Sequence, residues 1–482
     1  MSVFLAADIG AGSGRIIKGS IEQDKLCLTE MHRFKNEFTF LDGHYRWEIE
    51  KLFDEVRTGI QKAAATGENP VSVGVDTWGV DFTLLDESDQ LLEQPVAYRD
   101  DRTQGISSDF FEIVSLAEIY QRTGIQLMEL NTLFQLFALG RENRALLDAA
   151  RRMLLVPDYL NWRLSGRMEN EFTEATTSQI LNLETKDWDP RLLEALGVNP
   201  AILSTPIPPG TVLDTIQPDI LSGDTNVVAP ATHDTGSAVA SIPASGRDWA
   251  YICSGTWCLM GVESQTPFTG EKAFEYNYTN EGGVEGTYRV LKNIMGLWMF
   301  ENLKKEFDRD YSYEELIAMA EAVPPFPVIV DVNNESFFNP PSMIQAMDAF
   351  CEQTGQKKPA SEGEYIRASI EGLGLMFRRV IGELEEITGR SIHVIHIVGG
   401  GCRNRLFCRA AADATARLVK AGPVEGTSTG NIIMQAKSMG RVGSLKEGRE
   451  LVSRSFDIQA YTPENTAQWD DAWQTYNKIK GA

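Results

Sequence analysis

The amino-terminal part of the chain alternates between apolar runs and turns of small residues. The apolar run FLAAD, which begins at Phe4, is followed by the turn GAGSG and then by RIIKGSI and KLCLTEM, which both have the pattern of extended chain. Residues 71–88, VSVGVDTWGVDFTLLDES, have the same layout, because alternating valines precede the turn TWG and a second apolar run. Both segments predict strand–turn–strand units, and helical sequence follows from about Ile106 to Leu164.

The second half of the chain repeats this plan. The segment WAYICSGTWCLMGVES again predicts a strand, a turn of small residues and a second strand. Apolar residues spaced three and four apart predict a helix over 364–388, with a capping box at Ser361 and Glu364 and with Gly389 just past its end. The apolar run HVIHIV at 393–398 predicts a strand that leads through GGGCRN into a further helix. Such alternation is typical of an α/β fold, whose ligands bind beyond the carboxyl ends of the strands.

The length and one polar segment indicate how the chain divides. A chain of 482 residues is too long for one ordinary core and favours about two to four domains. The turn-rich segment SIPASGRD at 241–248 is the predicted boundary. We therefore predict an amino-terminal domain over 1–244, a carboxyl-terminal domain over 245–455, and a helical tail over 456–482 that packs on the body of the protein.

Composition and charge narrow the classes of partner. The net charge of −23 argues against a nucleic-acid backbone or an anionic membrane surface as the main partner. No apolar run approaches membrane-spanning length, and the start MSVFLAADIG lacks the basic region of a signal peptide. The six cysteines include no CxxC pair, which favours the reduced thiols of a cytoplasmic protein over a zinc site.

Three turns of small residues are candidates for binding phosphate, because such turns let backbone amides approach an anion. The first is DIGAGSGR, from Asp8 to Arg15, where Asp8 at the strand end could hold Mg²⁺ through water. It completes neither the Rossmann nor the Walker motif, and an ordinary hairpin turn is the alternative. The other two are SGT at 254–256 and GGG at 399–401. Together they favour one nucleotide held in a cleft between two domains.

The segment DTWGVDF is a candidate for binding a polyol. It places Asp76, Trp78 and Gly79 in one turn, which offers a flat apolar face beside a hydroxyl acceptor. The alternative is a buried tryptophan with Asp81 in the turn.

The segment ATHDTGSA presents a carboxylate at the end of an apolar run. Asp234 stands between His233 and Thr235, where an apparent strand gives way to small residues. Loops beyond strand ends are where α/β proteins place their chemistry. The alternative is that Asp234 or Thr235 caps a helix that begins near Gly236.

These motifs together resemble those of the FGGY carbohydrate kinases, which belong to the ribonuclease H-like ATPases. The resemblance spans nearly the whole chain in the family's order, and the 279–298 segment is specific to one branch of the family. The matching segments are DTWGVDF, PVAYRDDRT (95–103), NTLFQL (131–136), ATHDTGSA, SGTWCLMG (254–261), TNEGGVEGTYRVLKNIMGLW (279–298) and IVGGGCRN (397–404).

The resemblance implies a fold, a reaction and a set of site residues. The fold would be α/β, with two ribonuclease H-like domains of the actin/hexokinase type and a cleft between them. Asp234 would be the general base. The sugar-binding set would be Gly79, His233, Asp234, Thr235 and Asn293, to which the polyol reading of the DTWGVDF turn adds Asp76 and Trp78. The ATP-binding set would be Ala11, Gly12, Ser13, Gly14, Arg15, Thr256, Gly400 and Glu301.

Two of these positions depart from the family pattern. Glu301 stands where relatives carry a glutamine near the nucleotide, and a carboxylate that faced phosphate would repel it. Gly12 replaces a small hydroxyl residue, which removes one side-chain hydrogen bond but leaves the amide.

The reaction implied by the resemblance is transfer of phosphate from ATP, with Mg²⁺, to the 1-hydroxyl of L-rhamnulose in sugar catabolism. A kinase for another ketose, such as L-fuculose or L-xylulose, is the alternative enzyme. A non-catalytic, actin-like nucleotide or sugar sensor is the alternative of another class. The expected partners are the ketose and ATP, and the expected state is a monomer or a small homo-oligomer.

Overall fold

The computed structural model describes residues 2–255 and 257–480. They form two compact units of mixed strands and helices, which confirms the α/β class. The first unit contains the chain up to Pro243, Glu263–Val290 and Gly426–Ser455. The second contains Ala244–Val262, Leu291–Glu425 and the chain from Phe456 onward.

The elements are numbered in chain order. The strands are β1 (Ser2–Ile9), β2 (Ser13–Glu22), β3 (Lys25–Lys35), β4 (Phe38–Leu41), β5 (His44–Trp47), β6 (Ser72–Thr77), β7 (Phe82–Leu85), β8 (Arg152–Leu155), β9 (Thr211–Thr215), β10 (Asn226–Ala229), β11 (Trp249–Ser254), β12 (Cys258–Ser264), β13 (Thr279–Gly282), β14 (Tyr288–Ile294), β15 (Val394–Gly399), β16 (Leu418–Ala421) and β17 (Gln459–Tyr461). The α-helices are α1 (Ile49–Ala64), α2 (Ser107–Phe111), α3 (Leu116–Thr123), α4 (Thr132–Glu142), α5 (Arg144–Ala149), α6 (Val156–Ser165), α7 (Phe172–Thr177), α8 (Pro190–Leu196), α9 (Asp234–Ala240), α10 (Glu271–Glu275), α11 (Trp298–Glu306), α12 (Tyr313–Ala322), α13 (Met343–Gln353), α14 (Glu362–Thr388), α15 (Arg405–Thr415), α16 (Gly426–Ser438), α17 (Leu445–Ser455) and α18 (Thr466–Lys480).

The main sheet of the first unit has the strand order β3-β2-β1-β6-β10-β9. Strands β1, β2 and β3 are antiparallel neighbours, whereas β1, β6 and β10 run parallel. The three parallel strands are almost entirely buried, as expected of parallel strands covered on both faces. Because they are parallel, their carboxyl ends lie at one edge of the sheet, which is the edge where α/β proteins bind ligands.

Helix α16 returns to the first unit and packs against α9 and β1. The contact with α9 depends on Gly430, since a Cβ atom there would lie 1.7 Å from the Ser237 carbonyl oxygen. The first unit therefore includes 426–455 and 263–290, which the division at 244 and 455 had placed in the carboxyl-terminal domain. The unit differs from the predicted amino-terminal domain because segments that are distant in the chain pack closely together.

The second unit has a sheet in which β11 pairs with antiparallel β12 and with parallel β15. Strand β16 continues it in parallel and β17 closes it in antiparallel orientation. Helices α14 and α15 pack together, and the terminal helix α18 packs on both. No helix within the described part of the chain combines the length and the apolar character needed to cross a membrane.

The sequence predicted the long helix well and the region 106–164 less well. Helix α14 ends at Gly389, which has the left-handed φ of 65° expected of its cap, and the Ser361 hydroxyl accepts from the Glu364 amide. The Glu364 carboxylate, however, accepts from the Ala360 amide instead of closing the box on Ser361. The region 106–164 is interrupted by β8, which pairs with β7.

Candidate active site

The parallel strands of the first unit bring together two carboxylates that are 68 residues apart in the chain. Asp8 on β1 and Asp76 on β6 are direct partners in the strand register. An isolated bridge joins Thr77, the next residue, to His233. The register therefore places Asp8, Asp76 and the start of α9, which carries Asp234, at the carboxyl edge of one sheet.

Asp8 is held by two side chains. Arg15, its partner on the antiparallel strand β2, donates to Asp8 Oδ2 from Nη2 at 3.0 Å and from Nε at 3.2 Å. The Ser428 hydroxyl of α16 donates to the same oxygen at 2.6 Å. These contacts hold the Asp8 carboxylate in place. Arg15, which was predicted to contact ATP, forms an ion pair with Asp8.

Asp76 is completely buried, with 0 % of the residue exposed. Asn431 Nδ2 donates to its Oδ2 at 2.5 Å, while the buried Oδ1 has no hydrogen-bond partner among the described residues. Burial, followed by the negative charge of Asp8, raises the pKa of Asp76 well above its usual value. The charge of Asp234 raises this pKa further, so the three carboxylates lie close enough to repel one another.

Asp234 is the first residue of α9, and its side chain is 32 % exposed. The capping alternative is wrong, because the helix begins at Asp234, and His233 occupies the cap position without a side-chain cap bond. Desolvation by the surrounding protein raises the pKa of Asp234, although the nearby His233 and the Thr235 hydroxyl oppose the rise. Asp234 is thus a partly exposed carboxylate with a raised affinity for a proton, as a general base requires.

Two residues that the sequence analysis did not single out hold His233. Arg289 Nη2 lies 2.9 Å from His233 Nδ1, and Glu281 Oε2 lies 3.3 Å from the same nitrogen. Both residues belong to the segment 279–298, in which only Asn293 had been assigned a role. The branch-specific pattern of that segment is the signal that could have identified them.

The turn after β6 differs from the picture of a sugar-facing tryptophan. Trp78 is only 6 % exposed, its ring lies 4.4 Å from that of Trp47, and both indole N–H groups donate to Asp81 Oδ2. This geometry fits the alternative of a buried tryptophan, and burial raises the pKa of Asp81 to about 6. Gly79 lies against Thr177, since a Cβ atom there would come within 3.1 Å of that side chain.

The turn Gly10–Gly14 joins β1 to β2, so the hairpin alternative describes its backbone. The Gly10 amide donates to the Ser13 carbonyl oxygen at 2.9 Å, and Ala11, Gly12 and Ser13 form the accessible tip. Gly14 has a packing reason of its own, because a Cβ atom would overlap the Phe34 ring at 2.2 Å. The tip is exposed, and its role in binding phosphate stays a prediction.

The second unit carries the remaining ATP-binding predictions. Ser254 Oγ donates to the Val398 carbonyl oxygen and accepts from the Gly401 amide at 3.1 Å. This bond draws the glycine turn against β11 and leaves Gly400 exposed. Gly399, with φ 92°, approaches Ser254 so closely that a Cβ atom would lie 2.6 Å from its carbonyl oxygen.

Three further residues that were predicted to bind sugar or ATP belong to the second unit. Glu301 accepts hydrogen bonds from the Tyr313 hydroxyl at 2.7 and 2.9 Å, which gives its carboxylate a local partner. Asn293 lies half-buried on β14. Thr256 lies outside the described residues.

The carboxylates of the first unit fit a hydrated cation better than a directly ligated one. Among residues 2–255 and 257–480, no group of three or more His, Cys, Asp or Glu side chains could hold a metal ion directly. Mg²⁺ usually keeps several waters and needs few protein ligands. Since Asp8, Asp76 and Asp234 repel one another, a cation beside them would lower the electrostatic free energy of the site.

Comparison with known proteins identifies the family. The N-terminal domain model of the FGGY family of carbohydrate kinases matches residues 3–240, and its C-terminal domain model matches residues 250–439. The rhamnulokinase of Oceanobacillus iheyensis is 41% identical over 460 residues, which are 95% of this chain and 97% of that protein. The rhamnulokinase of Bacteroides thetaiotaomicron is 41% identical over 474 residues, or 98% of each chain.

Solved structures support the fold. The ligand-bound xylulose kinase from Lactobacillus acidophilus superposes with a TM-score of 0.83 at 16% identity, covering 100% of this chain and 98% of that one. The Plasmodium falciparum glycerol kinase with ADP gives 0.79 at 15% identity, with the same coverage. The expected two-domain fold of the actin/hexokinase type is therefore confirmed, and the chain belongs to the FGGY family of carbohydrate kinases.

Proposed function

We propose that this kinase transfers the γ-phosphoryl group of ATP to the 1-hydroxyl of L-rhamnulose, with Asp234 as the general base. Relatives named rhamnulokinase share about two fifths of their residues with it over nearly the full chain, which supports the substrate. The observation that carries the chemistry is the partly exposed Asp234, with its raised pKa, at the carboxyl edge of the first sheet. In this proposal the amino-terminal half binds the sugar and the carboxyl-terminal half binds the nucleotide.

Asp234 acts on a hydroxyl that is barely ionised at neutral pH. It orients O1–H and accepts the proton while the O1–phosphorus bond forms and the bond from phosphorus to the leaving oxygen of ADP breaks. General-base catalysis of this kind contributes about 10²–10⁴-fold to the rate. The raised pKa makes the carboxylate a stronger base.

Positioning and charge neutralisation supply the rest of the catalysis. Phosphoryl transfer passes through a loose transition state, so fixed donors matter more than the strength of the nucleophile. The amides at the tip of the Gly10–Gly14 turn, and Arg15 beside it, are the donors of the first unit that we assign to phosphate. The exposed Gly400 gives the second unit an amide for the same purpose.

Asp8 would hold Mg²⁺ through water, with Asp76, its partner in the strand register, as a second carboxyl group beside it. Bound there, the ion would neutralise charge on the phosphate oxygens. The bonds from Arg15 and Ser428 to Asp8 Oδ2 keep that carboxylate in one orientation. Neither a nucleic acid nor a membrane takes part, in keeping with the net charge of −23.

A coupled assay of ADP release over a panel of ketoses tests the proposal. The expected result is the highest kcat/KM with L-rhamnulose and formation of the 1-phosphate. A higher kcat/KM with L-fuculose or L-xylulose would replace the substrate but keep the kinase. ATP binding without a phosphorylated product from any sugar would favour a sensor instead.

A further inference from the structure

Arg289 is the most deeply buried cation near the proposed base, with 0 % of the residue exposed. A guanidinium is costly to bury unless ion pairs and hydrogen bonds replace its water. Its Nη1 lies 3.1 Å from Glu281 Oε2, and its Nε donates to the Gly282 carbonyl oxygen at 2.8 Å. The third nitrogen of the guanidinium, Nη2, lies 2.9 Å from His233 Nδ1. This charged pair therefore lies directly behind the residue that precedes Asp234.

The contact with Arg289 decides where the proton of His233 sits. A guanidinium has only donors and stays protonated, so the bond of 2.9 Å to Nδ1 requires a lone pair on that nitrogen. A neutral imidazole that accepts at Nδ1 carries its proton on Nε2. Glu281 Oε2 lies 3.1 Å from Arg289 Nη1 and 3.3 Å from His233 Nδ1, and neither contact has the geometry of a hydrogen bond, so the bond from Arg289 Nη2 is the one that decides the tautomer.

The proton on Nε2 faces the base. His233 Nε2 lies 3.5 Å from Asp234 Oδ1, and the Thr235 hydroxyl donates to that same oxygen at 3.0 Å. Both groups thus lie on the side of Oδ1, and the other carboxylate oxygen is the one that we assign to the sugar hydroxyl. The backbone fixes the imidazole from the other side, since the His233 amide donates to Thr173 Oγ1.

We propose that Arg289 and Glu281 are positioning residues for phosphoryl transfer, which hold His233 with its proton on Nε2 and thereby orient Asp234. The inference rests on the proposed role of Asp234 as the base. It gives the segment 279–298 a part in catalysis. Glu281 and Arg289 contact His233, although they lie 48 and 56 positions from it in the chain.

The ring nitrogens of His233 give a test that does not depend on activity. The chain has five histidines, so ¹⁵N-labelled histidine spectra of the whole protein can be assigned by comparison with a His233→Gln variant. We expect the protonated nitrogen of His233 to be Nε2 in the unaltered protein and the two tautomers to exchange in Arg289→Met. A proton on Nδ1 in the unaltered protein overturns the proposal.

Kinetics provide the second test, with a matched control in the same unit. Arg46 is buried, pairs with Glu93 at 3.0 Å, and donates its other hydrogen bonds to the carbonyl oxygens of Leu41 and Gln94. Misplacing a reacting group by about 1 Å costs about 10²-fold, so Arg289→Met should lower kcat by that order and leave the KM for ATP unchanged. Arg46→Met should leave kcat unchanged. Equal losses of kcat in the two variants would mean a merely structural role.

A double-mutant cycle separates action through His233 from independent action. In a His233→Ala background, Arg289→Met should lower kcat no further, whereas full additivity overturns the proposal. Glu281→Gln, which removes the counter-ion and leaves the arginine, carries the same tests if Arg289→Met does not fold. If the unaltered protein phosphorylates no ketose, the proposed function fails, while the spectra still report the tautomer.

Discussion

Asp8 and Asp76 lie side by side in the register of β1 and β6, and one helix bonds to both of them. Ser428 and Asn431 of α16 donate to Asp8 and Asp76 respectively. The helix therefore holds two mutually repelling carboxylates next to the residue proposed as base. This arrangement costs stability, and such costs are concentrated at functional sites.

Replacement of Asp234 by asparagine should abolish most turnover without loss of sugar binding. Asparagine keeps the size and the hydrogen-bonding oxygen of the side chain but accepts a proton far less readily. We expect kcat to fall by about 10²–10⁴-fold while the dissociation constant for L-rhamnulose changes little. Steady-state kinetics and calorimetry measure the two quantities, and the exposed Asp219→Asn is the control. A variant that keeps more than about a tenth of the original kcat would falsify the assignment of the base.

The pH profile should report the raised pKa of Asp234. A base acts when ionised, so kcat/KM should fall as the pH is lowered through a pKa above the ordinary value for aspartate. The Thr235 hydroxyl favours the ionised form, so Thr235→Val should move this acid limb to higher pH. The measurement is kcat/KM against pH for both proteins at saturating ATP. A limb that stays in place or moves to lower pH contradicts the assigned cause.

The sequence predicted the site residues that follow apolar strands, because a strand end is a local pattern. Asp8 and Asp234 were named in this way, and the structure places Asp8 in β1 and Asp234 at the first position of α9. Partners from distant parts of the chain were not predicted, since Asn431 reaches Asp76 across 355 positions and Arg289 reaches His233 across 56. The sequence could not show whether Trp78 faces the core or a ligand, because its neighbour Trp47 lies on the separate hairpin of β4 and β5.

Glu174 should destabilise the protein at neutral pH. It is fully buried, and within the described part of the chain neither of its carboxylate oxygens has a hydrogen-bond partner. Burial, followed by the charge of Asp158, raises its pKa well above the usual value. A carboxyl with a raised folded-state pKa stabilises the fold below its unfolded-state pKa, and this stability is lost as the pH rises through the folded-state value.

Glu174→Gln should therefore raise the free energy of unfolding at pH 8, because the neutral amide removes the cost of ionising a buried carboxyl. The gain should shrink as the pH is lowered towards 4. Urea unfolding at several pH values measures it, and the exposed Glu184→Gln is the control. A variant less stable than the original protein at pH 8 would show that the carboxylate has a favourable partner.

The contact between α9 and α16 should control both stability and turnover through Gly430. A methyl group there would overlap the Ser237 carbonyl oxygen, and the backbone of α9 would have to move. Overpacking of this kind costs about 1–3 kcal/mol, so Gly430→Ala should lower the free energy of unfolding by that amount. Because Asp234 begins α9, kcat should fall as well.

Gly382→Ala provides the matched comparison. Gly382 lies within α14, and a Cβ atom there meets nothing within 4 Å. Alanine is favoured over glycine in a helix by about 0.5–1 kcal/mol, so this variant should be more stable and should keep its kcat. Thermal unfolding and steady-state kinetics on the two variants measure the contrast. If both substitutions raise stability, the close approach of α9 to α16 is not a constraint on the fold.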